Sequence, residues 1–283
     1  MQYLAEHFPF HPLDLDDCLS RVQRPKIDKY PDYLFMIFHF PVFDKRARVT
    51  LPSQVSIFLG EDYLITIHQG DLKPLVKLFQ ECKMDERARI ENMGRSTGYL
   101  LYRILDRLVD YCFPILDKIG ANIDAVEDEI FSSEDREKVI RELSLLRRDI
   151  ISFRRMIKPQ TEVMELLEKS DWPILKEDPE VYFGDLADHM RKIQETLDDY
   201  KEVVEGLNDT NNTLTSSQIN KVMKTLTIIS TTMLPLTLVA SIYGMNLHYL
   251  PFSHHPWAFW FFLVVMTVMA VSLLAIFRRK RWL

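Results

Sequence analysis

Between Thr225 and Phe277 there is no Asp, Glu, Lys or Arg in 53 consecutive residues. A helix needs roughly 20 apolar residues to cross a hydrocarbon core of about 30 Å, so the stretch holds two spans and a short loop. The spacing places them near 225–245 and 257–277, joined by an external loop at 246–256. Trp257 and Trp260 stand where a span meets the headgroup layer. The competing reading is a buried hairpin in a water-soluble core. The run Phe259-Trp-Phe-Phe-Leu-Val-Val-Met is too uniformly apolar for it.

Charge is partitioned just as sharply. All 41 acidic residues lie at or before Asp209, and the last 74 residues contain none. Five basic residues follow position 221 (Lys224, Arg278, Arg279, Lys280, Arg281), so residues 1–221 carry 30 basic against 41 acidic side chains, a net of −11. Positive residues flank the spans only on the sides away from the 246–256 loop. The positive-inside tendency therefore puts both termini, including the basic tail 278–283, in the cytoplasm of a multi-pass protein of the plasma (inner) membrane. The amino terminus lacks a charged-then-apolar signal pattern.

Several chemistries are absent. Cys18, Cys82 and Cys112 have no paired spacing and read as reduced thiols. No Gly-x-x-x-x-Gly-Lys-Ser/Thr loop is present, so no nucleotide is expected to drive the protein. Neither a nucleophile–base pair nor a His-Glu-x-x-His motif points to an enzyme, and so acidic a chain is unsuited to nucleic acid.

Residues 1–92 read as an α/β lobe, with strands Tyr33–Phe40, Gln54–Leu59 and Tyr63–His68 and helices at Asp14–Leu19 and Leu72–Cys82. Residues 93–170 read as a long antiparallel helical hairpin, with Leu101, Leu105, Leu108, Tyr111 and Ile115 on one face. Ser132 or Ser133 is expected to cap its return arm. The tip is acidic (Asp124, Glu127, Asp128, Glu129) and the return arm basic (Arg147, Arg148, Arg154, Arg155), read first as a solvated, charge-laced surface. A third helix is expected over 181–245. At about 1.5 Å per residue, some 60 residues make a rod of about 90 Å that joins the lobe to the first span.

One face of that rod reads Asp198, Glu202, Glu205, Asp209, Thr213, Ser216, Asn220, Met223, Leu226, Ser230, Leu234, Thr237, Ser241 and Met245, at intervals of three or four. A polar seam inside a membrane suggests a water-filled axis. Any long helix contains some such stripe, so spacing alone does not establish a pore.

The stripe ends in Tyr243-Gly244-Met245-Asn246. It is preceded by Met233-Leu-Pro-Leu-Thr-Leu, followed by Tyr249-Leu-Pro, and the chain closes with Phe277-Arg-Arg-Lys-Arg-Trp-Leu283. This constellation resembles the Gly-Met-Asn signature of the CorA family of divalent-cation channels. The resemblance implies a funnel-shaped homopentamer: an α/β cytoplasmic domain, a long stalk helix and two transmembrane helices. It implies a selectivity filter at Gly244, Met245 and Asn246, and conduit positions at Asn220, Met223, Leu226, Leu234 and Thr237, with Asp209 lower in the stalk. Leu226 and Leu234, with Met223, would form a hydrophobic constriction. The expected cargo is Mg²⁺, with Co²⁺ and Ni²⁺ accompanying it. Regulatory Mg²⁺ would bind between subunits at Asp71 and Asp185. Lipid and copies of the chain itself are the other expected partners. Relatives usually have further strands and helices ahead of a segment like His11-Pro-Leu-Asp-Leu, so the lobe is expected to be truncated at its amino terminus.

The signature fits the ion. Mg²⁺ gives up its octahedral water shell reluctantly. Amide oxygens of Asn246 can accept hydrogen bonds from that shell, where a full carboxylate ring would trap the ion. Gly244 is expected in the left-handed conformation that ends a helix. The outer loop departs from many relatives: His248, His254 and His255 are its ionisable groups, which suit either an interfacial position or softer ions. A zinc transporter of the same superfamily and a non-conducting membrane-anchored scaffold are the alternatives.

Overall fold

The computed structural model describes residues 1–20, 23–133, 135–245, 255–280 and 282, which separate into two units, Met1–Asp209 and Thr210–Leu283. The first unit opens with α1 (Gln2–His7) and α2 (Pro12–Leu19), followed by four strands: β1 (Lys26–Lys29), β2 (Tyr33–Asp44), β3 (Val49–Gly60) and β4 (Leu64–His68). They form an antiparallel meander in the order β1-β2-β3-β4. Residues Tyr33 to Pro41 are buried without a break, because helices cover both sheet faces. On one face Phe10 and Leu15 pack against Tyr33, Phe35, Ile37 and Phe58. Phe35 and Phe58 are opposite one another in register, with ring centroids 4.7 Å apart.

Both long strands outrun the sequence expectation. Pro41 and Pro52, which read as strand ends, lie opposite each other inside the β2–β3 ladder. Proline has no N–H to donate, so this pairing concentrates both missing donors at one rung. Beyond the ladder's outer strands, which end at Ile37 opposite β1 and Val55 opposite β4, β2 and β3 need other partners for their amides.

The remaining helices of this unit are α3 (Lys73–Met84), α4 (Glu86–Met93), α5 (Thr97–Asp110), α6 (Phe113–Ser132) and α7 (Arg136–Lys169). Pro114 sits in the first turn of α6 and separates it from α5, so α6 and α7 make the hairpin, while α5 packs on α3, α4, β3 and β4. The return arm starts differently from expectation. Its cap is Asp135, which accepts the Lys138 amide at 3.1 Å, while Ser133 Oγ accepts the Asp135 amide.

Helix α7 also supplies the acceptors that β2 and β3 lack. Gln160 Oε1 accepts the His39 amide and Asp149 Oδ1 accepts the Thr50 amide, each at 2.5 Å, and Ser152 Oγ donates to the Thr50 carbonyl. Buried backbone donors are almost always satisfied, and here helix side chains do it. Burial raises the Asp149 carboxyl above the ordinary 3.8, against the pull of its bonds to Thr50.

Helix α8 (Pro179–Tyr243) is 65 residues long and contains Pro235; α9 (Ala258–Arg279) has 22 residues. Both include stretches long and apolar enough to cross a membrane.

Candidate ion-conduction site

In the second unit, α8 and α9 meet at a groove of about 780 Å³ lined by Leu236, Ala240 and Tyr243 from α8 and Ala258, Phe259 and Phe262 from α9. Tyr243 and Phe262 fix its outer end, with ring centroids 3.7 Å apart. At 3.6 residues per turn, Leu236, Ala240 and Tyr243 fall within about 60° of one another. Ser230, Leu234, Thr237, Ser241 and Met245 fall about 100–180° away from Leu236. Helix α9 thus covers one face of α8 and leaves the sequence-derived stripe open.

That open face is unusually apolar for an uncovered surface. Leu234 is 70% exposed, Leu226 57% and Met223 56% within the single chain, and Asn220 and Thr237 are exposed beside them. Thr237 Oγ1 donates to the Met233 carbonyl at 2.8 Å, as Thr227 does to Met223. With the hydroxyl protons committed to the helix, the oxygens keep lone pairs that can accept hydrogen bonds from a hydrated ion.

Gly244 corrects the sequence reading. Among the described residues the only glycine with positive φ is Gly70, so Gly244 does not end α8 in a left-handed conformation. Its amide bonds the Ala240 carbonyl at 2.9 Å, and the helix then tightens, with the Met245 amide reaching Ile242 at 3.3 Å. A three-residue closing bond satisfies the terminal carbonyls without a left-handed residue. Glycine still fits there for space: a Cβ would stand 3.2 Å from the Ala240 carbonyl oxygen. Asn246, His248 and His254 lie outside the described residues. His255 stacks over Trp257 at 5.4 Å, the packing an interfacial histidine would adopt.

In the first unit the acidic end of the stripe is partly neutralised by α7. Asp198 bonds Arg154, and Glu205 pairs with Lys201 at 3.2 Å and more loosely with Arg147 at 3.8 Å. Asp209 is exposed and lines a cavity of about 340 Å³ together with Arg147, Glu205 and Asn208.

Asp71 follows Gly70, whose φ of 85° needs a glycine. It accepts the Ser53 hydroxyl at 2.7 Å through Oδ1. Asp185 sits near the start of α8, with His189 Nε2 3.9 Å away. Hard oxygen donors such as these suit Mg²⁺. Within one chain the structure gives the two carboxylates no shared partner, and among the described residues no three His, Cys, Asp or Glu side chains gather to hold a metal. Sequence reasoning passed over Asp106, on α5. Burial, then the charge of Asp110, raises its carboxyl, and Asp185 adds to the effect. Its four-residue spacing from Asp110 was the available signal.

The chain was compared with known proteins. A family described as "CorA-like Mg2+ transporter protein" matches residues 1–279. The Cobalt/magnesium transport protein CorA of Thermotoga maritima is 35% identical over 289 residues, covering 100% of this chain and 80% of the relative. The complete structure of the CorA magnesium transporter from Methanocaldococcus jannaschii superposes with a TM-score of 0.88 at 26% identity, covering 100% of this chain and 87% of that one. Zinc Transport protein ZntB of Pectobacterium carotovorum is 21% identical over 260 residues, 92% of this chain and 77% of the relative. The chain belongs to the CorA-like family, and is a divalent-cation transporter of the membrane rather than an enzyme.

Proposed function

We propose that this chain assembles as a homopentamer whose α8 helices surround an axis through which hydrated Mg²⁺ enters the cell, with Co²⁺ and Ni²⁺ as further cargo. The stripe on α8 supports this reading most directly: it is uncharged from Thr225 outward, it is left open by α9, and it leads to Gly244-Met245-Asn246. Both termini face the cytoplasm, so the carboxyl end of α8 meets the incoming cation with its partial negative charge. Asn246 completes the filter with amide oxygens that hold the ion's water shell rather than the bare ion. No chemical fuel is needed. One charge crossing 100 mV is worth about 2.3 kcal/mol, so a divalent ion gains roughly 4.6 kcal/mol on moving inward.

Regulation follows from Asp71 and Asp185. Bound Mg²⁺ bridging them between neighbouring subunits holds the ring closed, and its loss leaves facing carboxylates that repel and loosen the ring. Asp71→Asn and Asp185→Asn channels are expected to keep conducting at high internal Mg²⁺; wild-type closure in both would remove this mechanism.

The deciding experiment is Mg²⁺ uptake into proteoliposomes under an inside-negative potential. Asn246→Ala should reduce the flux to that of empty vesicles, and undiminished flux would sink the pore assignment. The likeness to a zinc transport protein favours a second reading, zinc transport. In the same vesicles, Zn²⁺ uptake exceeding Mg²⁺ uptake and rising with an imposed proton gradient would favour it.

A further inference from the structure

The largest cavity described in the first unit, about 960 Å³, lies between α7 and the far end of the β2–β3 hairpin. Its α7 wall is a single helix face, with Ser144, Arg147, Arg148, Ile151, Ser152 and Arg155 recurring at helical spacing. Arg24 closes it from the irregular segment before β1, so four guanidinium groups share one cavity. No Asp or Glu is among its lining residues. This is a local reversal of charge in a segment that carries 41 acidic against 30 basic residues.

The arginines are only lightly committed. Arg147 has its loose 3.8 Å pair with Glu205, Arg148 donates to the Ala47 carbonyl, and Arg24 and Arg155 have no ion pair among the described residues. At the inner wall stands His39. Its residue is 4% exposed, its backbone amide is held by Gln160, and its ring Nε2 has no hydrogen-bond partner. A buried polar atom without a partner is uncommon and costly, and this one is shut off from the cavity that His39 borders. The rest of the lining is apolar, with Val49, Leu51 and Met156 and three prolines, and Leu51 is 42% exposed within it.

Guanidinium forks match phosphate oxygens in pairs. An apolar wall in the same cavity favours a ring system or hydrocarbon portion on the same ligand, and the volume lies in the range of small-molecule sites. We propose that this cavity is a binding site for an organic phosphate of nucleotide size, with Arg147 and Arg155 taking the phosphate oxygens and Leu51 and Met156 packing on its apolar portion. The ligand is bound and not hydrolysed, since the chain has no glycine-rich phosphate loop. Arg147 also meets Glu205 at the acidic end of the stripe, so the proposal is tested by ligand binding and not by ion flux.

The test is calorimetric titration of the detergent-solubilised full-length protein, free of divalent ions, with ADP and with inorganic pyrophosphate. One saturable site per chain is expected for ADP, with pyrophosphate weaker by about tenfold for want of the apolar contact. Arg147→Gln/Arg155→Gln should weaken ADP by at least about tenfold. Arg141→Gln, which removes a positive charge from α7 outside the cavity, should leave ADP binding unchanged. Both arginines are exposed, so unaltered thermal melting will show that the double variant folds. Absence of saturable ADP binding, equal loss in Arg141→Gln, or pyrophosphate binding as tightly as ADP would each overturn the proposal. A soluble short-chain phosphoinositide outcompeting ADP for the wild type but not for the double variant would instead assign the same phosphate chemistry to a lipid headgroup.

Discussion

Asp149 shows how one side chain can both hold the fold and strain it. It sits on the inner face of α7, accepts the Thr50 amide at 2.5 Å, and is 5% exposed. Burial opposes ionisation more than the Thr50 bond favours it, so the folded carboxyl titrates above its ordinary 3.8. A raised carboxyl pKa means that the folded state binds more protons than the unfolded one between the two values. Stability therefore falls as pH rises through that window. Asparagine retains the acceptor oxygen without the buried charge. Asp149→Asn should gain on the wild type at pH 7, and its advantage should shrink as the pH is lowered toward 4, measured by chemical unfolding at each pH. A difference that is flat with pH would show that Asp149 is not the titrating group. Nothing in the sequence marks Asp149 as buried: it lies among Arg147, Arg148 and Arg154 in a stretch that reads as charged surface. Asp71, Asp185 and the proposed pore positions owe their roles to a resemblance carried by neighbouring motifs and not to their own surroundings. Asp106 was missed because its burial, and the part of its charged surroundings that Asp185 and His189 of α8 supply, do not show in the local sequence around Asp110.

At the scale of elements, the apolar patterns located the strands and long helices, while prolines misplaced some of their ends. Pro41 and Pro52 read as terminators because a strand interior normally rejects proline; only the register shows them opposite each other, with α7 satisfying the amides nearby. Pro114 went the other way. It ends the pairing of α5 with the hairpin, and the continuous apolar spacing from Leu101 to Ile115 concealed it. Gln160 is the single residue that makes the helix–strand contact testable. Gln160→Leu would leave the His39 amide buried without an acceptor, at a cost of about 1–3 kcal/mol. Thermal unfolding should register it as a lower Tm, whereas Gln160→Glu, which restores an acceptor, should recover part of the loss. If leucine is tolerated at no cost, another group or water must serve the amide.

At the scale of the whole molecule, the sequence supplied the membrane helices and the family, but a single chain shows what that assignment still requires. A chain that leaves Leu226, Leu234 and Met223 open on α8 while α9 covers the opposite face needs other chains, or lipid, to cover the stripe. Lipid would accept the leucines; it would not accept Asn220 and the hydroxyl positions as readily. Copies of α8 around an axis, as proposed, would accommodate both, with leucines at a constriction and polar side chains above and below it. Native mass measurement in detergent should give five times 33.4 kDa for the proposed assembly. The ring itself is tested at Leu234, the most exposed of the three. Leu234→Ser removes the apolar surface that keeps the constriction dry without adding a charge that could bind Mg²⁺. The expected result is Mg²⁺ flux that persists at high internal Mg²⁺, where the proposed mechanism closes the wild type, together with retained sensitivity to Asn246→Ala. A Leu234→Ser channel that closes like the wild type would move the gate to another level of α8, with Leu226 next to be examined. One that conducts but ignores Asn246→Ala would mean that the ion travels by a route the stripe does not line.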